Sequence, residues 1–166
     1  MNVPPPDKIG AMQFLSARWR AWRRLPATER GDFVRFVCLI PAITVLLKTC
    51  GMARTYRWLD ASASGVTPAH DTATAIEATL VGALHRARRY APYRGNCLSQ
   101  SLALWWLCRR RGFEVTLRLG VRLDDRVFSA HAWVERGDRS INDTADVRER
   151  FTPFAPSDFR QAATWS

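Results

Sequence analysis

The spacing of apolar residues changes along the chain from a helical period to a period of two. Between residues 70 and 90 apolar positions recur every three or four residues, whereas those from Val115 to Leu123 alternate with polar or small residues. The first pattern predicts helices and the second predicts strands. Because helices come first and strands follow, the order indicates an α+β fold in which a buried helix packs on a small antiparallel sheet.

The N-terminal part is predicted to be helical. Apolar residues at helical spacing indicate an amphipathic helix over residues 14–24, and a second helix is expected to begin near Thr28 and to contain the apolar run Phe36–Leu47. Pro41 should kink or break this second helix, and Gly51 should end it. The run is shorter than the ~20 residues that a transmembrane helix needs, so no membrane span is expected.

Small and polar residues from Ala61 to Pro68 indicate a linker. It divides the chain into a helical N-terminal region, residues 1–65, and a second domain, residues 66–166, which should carry the chemistry. The second domain is predicted to open with a helix that ends at about Arg89, followed by one that begins at or just before Cys97. This last helix is apolar on nearly every side, as expected of a central, buried helix.

Three strands are predicted after the buried helix. The first covers the alternating run that ends at Leu123, the second is Val127–Glu135 and the third is Arg139–Asp143. Asp124-Asp125 should form the first turn. The tail that follows the third strand is expected to be irregular or weakly helical.

Cys97 is the candidate nucleophile because it begins a buried helix directly after a Gly-Asn loop. The partial positive charge at a helix N-terminus stabilises a thiolate, and the unpaired backbone N–H groups there are suited to hold an oxyanion. Cys108 lies in mid-helix and is predicted to be a core residue. Asn96 and Gln100 are weak candidates for a second oxyanion donor and are better suited to capping or packing.

His131 is the candidate base and Asp143 its orienting partner. A three-residue hairpin loop would place three favourable pairs opposite one another: Glu135 with Arg139, Trp133 with Ile141, and His131 with Asp143. A two-residue loop would instead place Thr144 opposite His131. The favourable pairs support the first register, so Asp143 is predicted to orient His131 in preference to Asp138 or Asp146.

The three candidates provide a nucleophile, a base and an orienting carboxylate. The histidine lies 34 positions after the cysteine, and the aspartate lies 12 positions after the histidine. These are the groups that thiol acyl transfer requires. Whether water or an amine accepts the acyl group is left open by the three residues alone.

The composition indicates a basic surface and free thiols. The 25 Lys and Arg against 15 Asp and Glu give a formal net charge of +10, which favours an acidic partner such as a peptide, a protein surface or a nucleic acid. A solvated basic surface would give the same count, and no nucleic-acid-binding motif is present. The four cysteines form no CxxC pair, so neither a metal site nor another cofactor is expected, and free thiols favour a cytoplasmic location.

Several stretches resemble the transglutaminase-like B proteins of lasso-peptide biosynthesis. The resemblance covers roughly residues 75–155. It rests on four stretches: the nine residues that begin Asn96-Cys-Leu-Ser, the Arg-Arg-Gly-Phe that ends the same helix, Leu-Gly-Val at 119–121, and Phe128–Glu135 with the Asp twelve residues after its His. It implies a papain/transglutaminase-like cysteine peptidase core with Cys97, His131 and Asp143 as its catalytic residues.

The resemblance also implies a substrate and partners. The expected activity is removal of the leader from a lasso-peptide precursor, which frees the core N-terminus for macrolactam formation by a separate, ATP-dependent cyclase. No strand-rich leader-binding module precedes the matching region, so the split form is expected, with a separate small leader-binding protein as partner. The alternatives are a transglutaminase-like acyltransferase that uses the same three residues and, less favoured, a basic binding protein without enzymatic activity.

Overall fold

The computed structural model describes residues 27–63, 70–124 and 127–154. In chain order these residues form helices and strands that are named here as follows: α1 (Ala27–Ala61), α2 (His70–Tyr90), α3 (Cys97–Arg110), β1 (Thr116–Asp124), β2 (Val127–Arg136), β3 (Arg139–Ser140), α4 (Val147–Arg150) and β4 (Thr152–Phe154). The predicted α+β order is confirmed. The helix expected over residues 14–24 and the boundary at residue 65 lie outside the described residues, and the division into two domains stays a prediction.

Helix α1 differs from its prediction at Pro41, where the helix continues and the expected break is wrong. At Gly51 the backbone leaves the helical conformation (φ 75°, ψ 170°), so two helical segments meet there across a kink, in agreement with the expected stop. The segment that contains Pro41 is held in place by tertiary packing, because Phe36, Ile40 and Ile43 are almost fully buried in the main core. Burial of three large side chains outweighs the helix-breaking tendency of a single proline.

By length and composition alone, the stretch Thr28–Ala61 is apolar enough to cross a membrane, and 22% of its most apolar window is buried inside the protein. The expectation of no membrane span rested on the apolar run Phe36–Leu47, which is shorter than the ~20 residues that such a helix needs. Core helices of soluble proteins and signal sequences meet the same criterion, so this property alone is weak evidence for a membrane span.

Helix α3 lies at the centre of the fold. Helices α1 and α2 pack against it, and strand β2 packs against it from the sheet. The main core therefore combines residues from all three helices and from one face of the sheet, among them Ile40, Leu84, Leu102, Leu104 and Val134. This arrangement confirms the prediction of a central, buried helix and explains why α3 is apolar on nearly every side.

The sheet has four antiparallel strands in the order β3-β2-β1-β4. The tail is not irregular throughout, because β4 pairs with β1 and places Pro153 opposite Gly120. Pro153 is tolerated since β4 is an edge strand, where a missing backbone N–H costs little. The other face of the sheet carries a second, smaller cluster, formed by Trp133, Val147 and Phe151.

The register of β2 and β3 is not the one favoured by the sequence. Glu135 pairs with Ser140 and Arg136 with Arg139, so the loop has two residues, and β3 ends at Ser140 well before Asp143. The predicted pair of Glu135 with Arg139 is replaced by ion pairs to other elements. Arg139 binds Glu77 of α2, and Glu135 binds arginines of β1 and α4.

Glu135 is a buried carboxylate at the centre of an ion-pair cluster. It accepts hydrogen bonds from Arg118 (2.9 Å), from Arg148 (2.6 Å) and from the indole of Trp133 (2.8 Å). Burial on its own would raise the pKa of Glu135, but the hydrogen bonds outweigh it and lower the pKa from 4.5 to about 2. The cluster therefore ties β1 and α4 to β2 four residues after His131.

Replacing Glu135 with glutamine is expected to lower the free energy of unfolding at neutral pH by about 1.5–3 kcal/mol, the value of hydrogen bonds to a charged group. The contribution of Glu135 is complete above pH 4.5 and is lost as the pH falls toward about 2. Urea unfolding over this range should therefore show a steeper loss of stability with acid in the wild type than in Glu135→Gln. The exposed Glu149→Gln is the control, and parallel pH curves for wild type and Glu135→Gln would contradict the prediction.

Candidate active site

The first turn of α3 is built by a capping box. The side chain of Asn96 accepts a hydrogen bond from the backbone N–H of Ser99 (2.9 Å), and the Ser99 hydroxyl accepts one from the backbone N–H of Asn96 (3.1 Å). Cys97 is therefore the first helical residue, as predicted. Gln100 donates to the carbonyl of Arg94 (2.8 Å), so Asn96 and Gln100 hold the loop and the helix start.

Gly95 is required by the geometry of this turn. Its φ is +67°, a conformation that side chains disfavour, and a Cβ there would lie 2.5 Å from both Ile40 and the Ser99 hydroxyl. The loop before α3 thus passes directly over α1, and the glycine permits both the close approach and the capping box. The Gly-Asn pair that marked the helix start in the sequence therefore has two structural roles: Gly95 forms the turn and Asn96 caps the helix.

His131 and Asp143 are in direct contact. Nε2 of His131 lies 2.5 Å from a carboxylate oxygen of Asp143, and both side chains are largely buried, with 25% and 20% of their surfaces exposed. The predicted partnership is therefore present, although the register argued for it is wrong. Asp143 lies in the bend after β3 and reaches His131 through its side chain, not from a ladder position.

The second oxygen of Asp143 is also held. It accepts hydrogen bonds from the backbone N–H of Thr144 (2.8 Å) and from Arg150 of α4 (3.2 Å). Burial on its own would raise the pKa of Asp143, but the hydrogen bonds with His131 and Thr144 outweigh it and lower the pKa below its ordinary value of 3.8. Asp143 is therefore an ionised acceptor at neutral pH, which fixes the proton of His131 on Nε2 and leaves Nδ1 as the basic nitrogen.

Aromatic rings cover the imidazole of His131. The rings of Phe151 and Trp133 stack near it, with centroids 5.1 Å and 6.2 Å away, and both rings belong to the smaller cluster. Gly120 lies opposite His131 in the sheet, and a Cβ there would lie 2.8 Å from Phe151 and from the Trp133 ring. The absence of a side chain at Gly120 thus makes room for the rings that limit the movement of the imidazole.

Beyond the end of β3, side chains supply the hydrogen-bond partners for the backbone of β2. The hydroxyl of Ser101 donates to the carbonyl of Ala132 (2.8 Å), and the amide oxygen of Asn142 accepts from the backbone N–H of Val134 (2.8 Å). The amide nitrogen of Asn142 donates to Ser101 (3.0 Å), which joins these two bonds into one network. The backbone groups that β3 would have paired are therefore satisfied by residues next to the candidate catalytic ones.

This network sets the position of Cys97 relative to the other two candidates. Ser101 is four residues after Cys97 and therefore lies on the same face of α3. It contacts the residue after His131, and its partner Asn142 precedes Asp143. Ser101 and Asn142 were not singled out from the sequence. The sequence offers one indication for each: Asn142 is a polar residue next to Asp143, and Ser101 is a polar residue one helical turn after Cys97.

Cys97 is not bonded to the histidine in this structure. Among the described residues its thiol makes no hydrogen bond, and the side chains brought into direct contact are His131 and Asp143. Catalytic hydrogen bonds often form only once substrate is bound, so the missing bond does not exclude a later transfer of the thiol proton to His131. No group of three or more metal-binding side chains occurs among the described residues.

The four cysteines, which are all unpaired, differ in environment. Cys108 is fully buried, and burial raises its pKa to about 12, whereas Cys97 is partly accessible at a helix N-terminus. Iodoacetamide at neutral pH is therefore expected to modify Cys97 at least about a hundredfold faster than Cys108, because Cys108 is both inaccessible and held as the thiol. Peptide mapping by mass spectrometry measures both rates, and labelling in denaturant is the control. Equal rates in the folded protein would contradict this assignment.

A cysteine at the start of a central helix, beside a sheet that carries a bonded histidine and aspartate, is typical of enzymes that form thioesters. Residues 37–155, more than half of the chain, match the sequence family described as the transglutaminase-like superfamily. The chain belongs to the transglutaminase-like superfamily.

Similarity to an individual protein is more limited. The microcin J25-processing protein McjB of Escherichia coli is 33% identical over 63 residues, which are 38% of this chain and 29% of McjB. The matched segment thus spans less than a third of that relative. No solved structure gives a significant match.

Proposed function

We propose that this protein is a cytoplasmic cysteine peptidase that removes the leader from a lasso-peptide precursor. The observation that carries the proposal is the 2.5 Å hydrogen bond from His131 to Asp143, next to a helix that presents Cys97 at its first residue. Membership in the transglutaminase-like superfamily and the partial similarity to a microcin-processing protein support the substrate class.

In the proposed reaction Nδ1 of His131 takes the proton of the Cys97 thiol, and the thiolate attacks the carbonyl before the scissile bond. The negative oxygen that forms is held by the backbone N–H of Cys97, which has no carbonyl partner in the first helical turn. His131 then gives its proton to the leaving amine, and a thioester remains on Cys97. Water, deprotonated by His131, hydrolyses the thioester and restores the thiol.

Asp143 acts on this sequence through His131. It accepts the Nε2 proton of the neutral imidazole and stabilises the imidazolium when Nδ1 is also protonated. Ser101 and Asn142 are positioning residues in this scheme, because they hold α3 and the bend of Asp143 against the same strand. The aromatic rings around His131 keep the imidazole in one orientation.

The proposal includes partners. A separate small leader-binding protein would present the precursor, and the freed core N-terminus would pass to a separate cyclase. Cleavage is therefore expected to be faster when the leader-binding protein is present, and an unchanged rate would count against the split form.

The test is product analysis by mass spectrometry. The protein is incubated with any precursor peptide and any small leader-binding protein that the neighbouring genes encode, with and without an added primary amine. Free leader acid and free core amine support the peptidase proposal. A leader–amine adduct as the main product would favour the acyltransferase alternative, and an intact precursor under both conditions would contradict the proposal.

A further inference from the structure

A cavity lies between α2 and the bend after β3. Its volume is about 390 Å³, and it is lined by His85 and Arg88 of α2 and by Ile141, Asn142, Asp143 and Thr144 of the bend. The cavity belongs to none of the steps described above. It shares only Asp143 with the proposed catalytic residues, and it is large enough for a side chain of a bound peptide.

The basic side chains of this cavity are not bonded to its carboxylate. Asp143 contributes that carboxylate, which is already bonded to His131 and Arg150. Arg88 and His85 are exposed and have no hydrogen-bond or ion-pair partner among the described residues. The cavity therefore offers a guanidinium and an imidazole whose hydrogen-bonding groups are available to a ligand.

Neighbouring arginines differ from Arg88 in this respect. Arg86 pairs with Glu29 (2.8 Å), and Arg89 bonds to the hydroxyl of Tyr90 (3.2 Å). Arg139, across the bend, pairs with Glu77. An unpaired arginine among paired ones, facing a cavity, is the arrangement expected where a ligand supplies the carboxylate.

We propose that this cavity, defined by Arg88 and His85, binds an acidic side chain of the substrate peptide. The proposal rests on the peptidase function proposed above and deepens it. Asp143 both lines the cavity and bonds to His131, which acts at the cut bond in the proposed reaction. The acidic residue is therefore expected close to the cut bond in the peptide sequence.

The experiment measures binding apart from cleavage. A fluorescently labelled lasso-peptide precursor that the wild type cleaves, or one encoded by a neighbouring gene, is titrated with Cys97→Ala and with the double variants Cys97→Ala/Arg88→Gln and Cys97→Ala/Arg89→Gln. Arg89 is the matched control, because it is the adjacent arginine on α2, carries the same charge and does not line the cavity. The titration is repeated with a precursor whose Asp and Glu residues are changed to Asn and Gln.

We expect Arg88→Gln to weaken binding of the native precursor by roughly tenfold or more and Arg89→Gln by less than about twofold. The neutralised precursor should bind more weakly, and Arg88→Gln should weaken it no further, because the two changes remove the same contact. Equal effects of Arg88→Gln and Arg89→Gln, or additive effects of Arg88→Gln and peptide neutralisation, would overturn the proposal. Competition by inorganic phosphate, combined with indifference to peptide neutralisation, would assign the cavity to a small anion instead.

The two proposals fail in different ways. If the wild type does not cut the precursor but binding still depends on Arg88 and on the peptide's acidic residues, the peptidase proposal fails and the cavity proposal stands. If the wild type cuts but Arg88→Gln binds like Arg89→Gln, the cavity proposal fails alone. His85→Asn is a second variant, expected to weaken binding of the native precursor more than that of the neutralised one.

Discussion

Cys97→Ala is expected to abolish leader removal, with a fall in cleavage rate of about 10⁴-fold or more, because the thioester has no other atom on which to form. The variant should keep its fold, since Cys97 is the first residue of α3 and takes no part in the capping box. Cleavage is followed by mass spectrometry over time under single-turnover conditions, and precursor binding is measured on the same preparation.

The matched control for this variant is Cys38→Ala, which removes an exposed thiol from α1. It should cleave at the wild-type rate, within about twofold, as expected of a surface substitution. A Cys97→Ala variant that still cuts at a tenth of the wild-type rate or faster would exclude Cys97 as the nucleophile. Loss of both binding and cleavage would point instead to misfolding, which circular dichroism and thermal unfolding would detect.

Asp143→Asn should lower kcat by roughly 10² to 10⁴-fold while the protein stays folded. An amide can donate a hydrogen bond to Nε2 of His131, which moves the ring proton to Nδ1, the nitrogen that takes the thiol proton in the proposed reaction. The loss should be in kcat more than in KM, because the aspartate acts on the reaction through the imidazole. Steady-state cleavage of a quenched fluorescent peptide that spans the cut site measures both constants.

Two neighbouring acidic residues serve as controls. Asp138 and Asp146 bind the exposed arginines Arg148 and Arg150, and neither contacts His131. Asp138→Asn and Asp146→Asn should each keep kcat within about threefold of wild type. If either of them matches the effect of Asp143→Asn, the orienting role would not belong to Asp143.

The helix start at Cys97 was predicted from neighbouring residues, whereas the partner of His131 was predicted from a hairpin register. Cys97 at a helix start follows from local chemistry, because Gly95 supplies the positive φ and Asn96 supplies the cap. Local rules of this kind operate within a few residues and are therefore visible in the sequence. The alternation that predicted β1 and β2 is equally local, and both strands are present.

The hairpin register was wrong because distant residues decide it. The sequence favoured a contact between Glu135 and Arg139, but Glu135 is satisfied by arginines of β1 and α4, and Arg139 by Glu77 of α2. Such ion pairs join residues that are far apart in the chain, so the charge pattern of a hairpin alone cannot reveal them. The two-residue turn instead uses Gly137, whose φ is +59°.

Helix α1 and strand β4 were mispredicted for the same reason. Pro41 disfavours a helix locally, but the burial of the surrounding apolar residues keeps α1 helical through this position. Pro153 disfavours a strand locally, but the free edge of β1 accepts three residues that include it. Ser101 and Asn142 were missed because their contacts exist only once α3 lies against β2.

The way in which Asp143 reaches His131 affects how related chains should be compared. When a residue belongs to a strand, the number of residues in the hairpin decides which residue it faces. An insertion of one residue would move every later side chain of the strand to the opposite face of the sheet. Asp143 instead follows the last ladder pair and is held by side chains, so a longer or shorter hairpin could still deliver a carboxylate to the same ring nitrogen. Relatives are therefore expected to conserve the contact while varying the number of residues between the histidine and the aspartate. Alignments that require a fixed gap would pass over some of them.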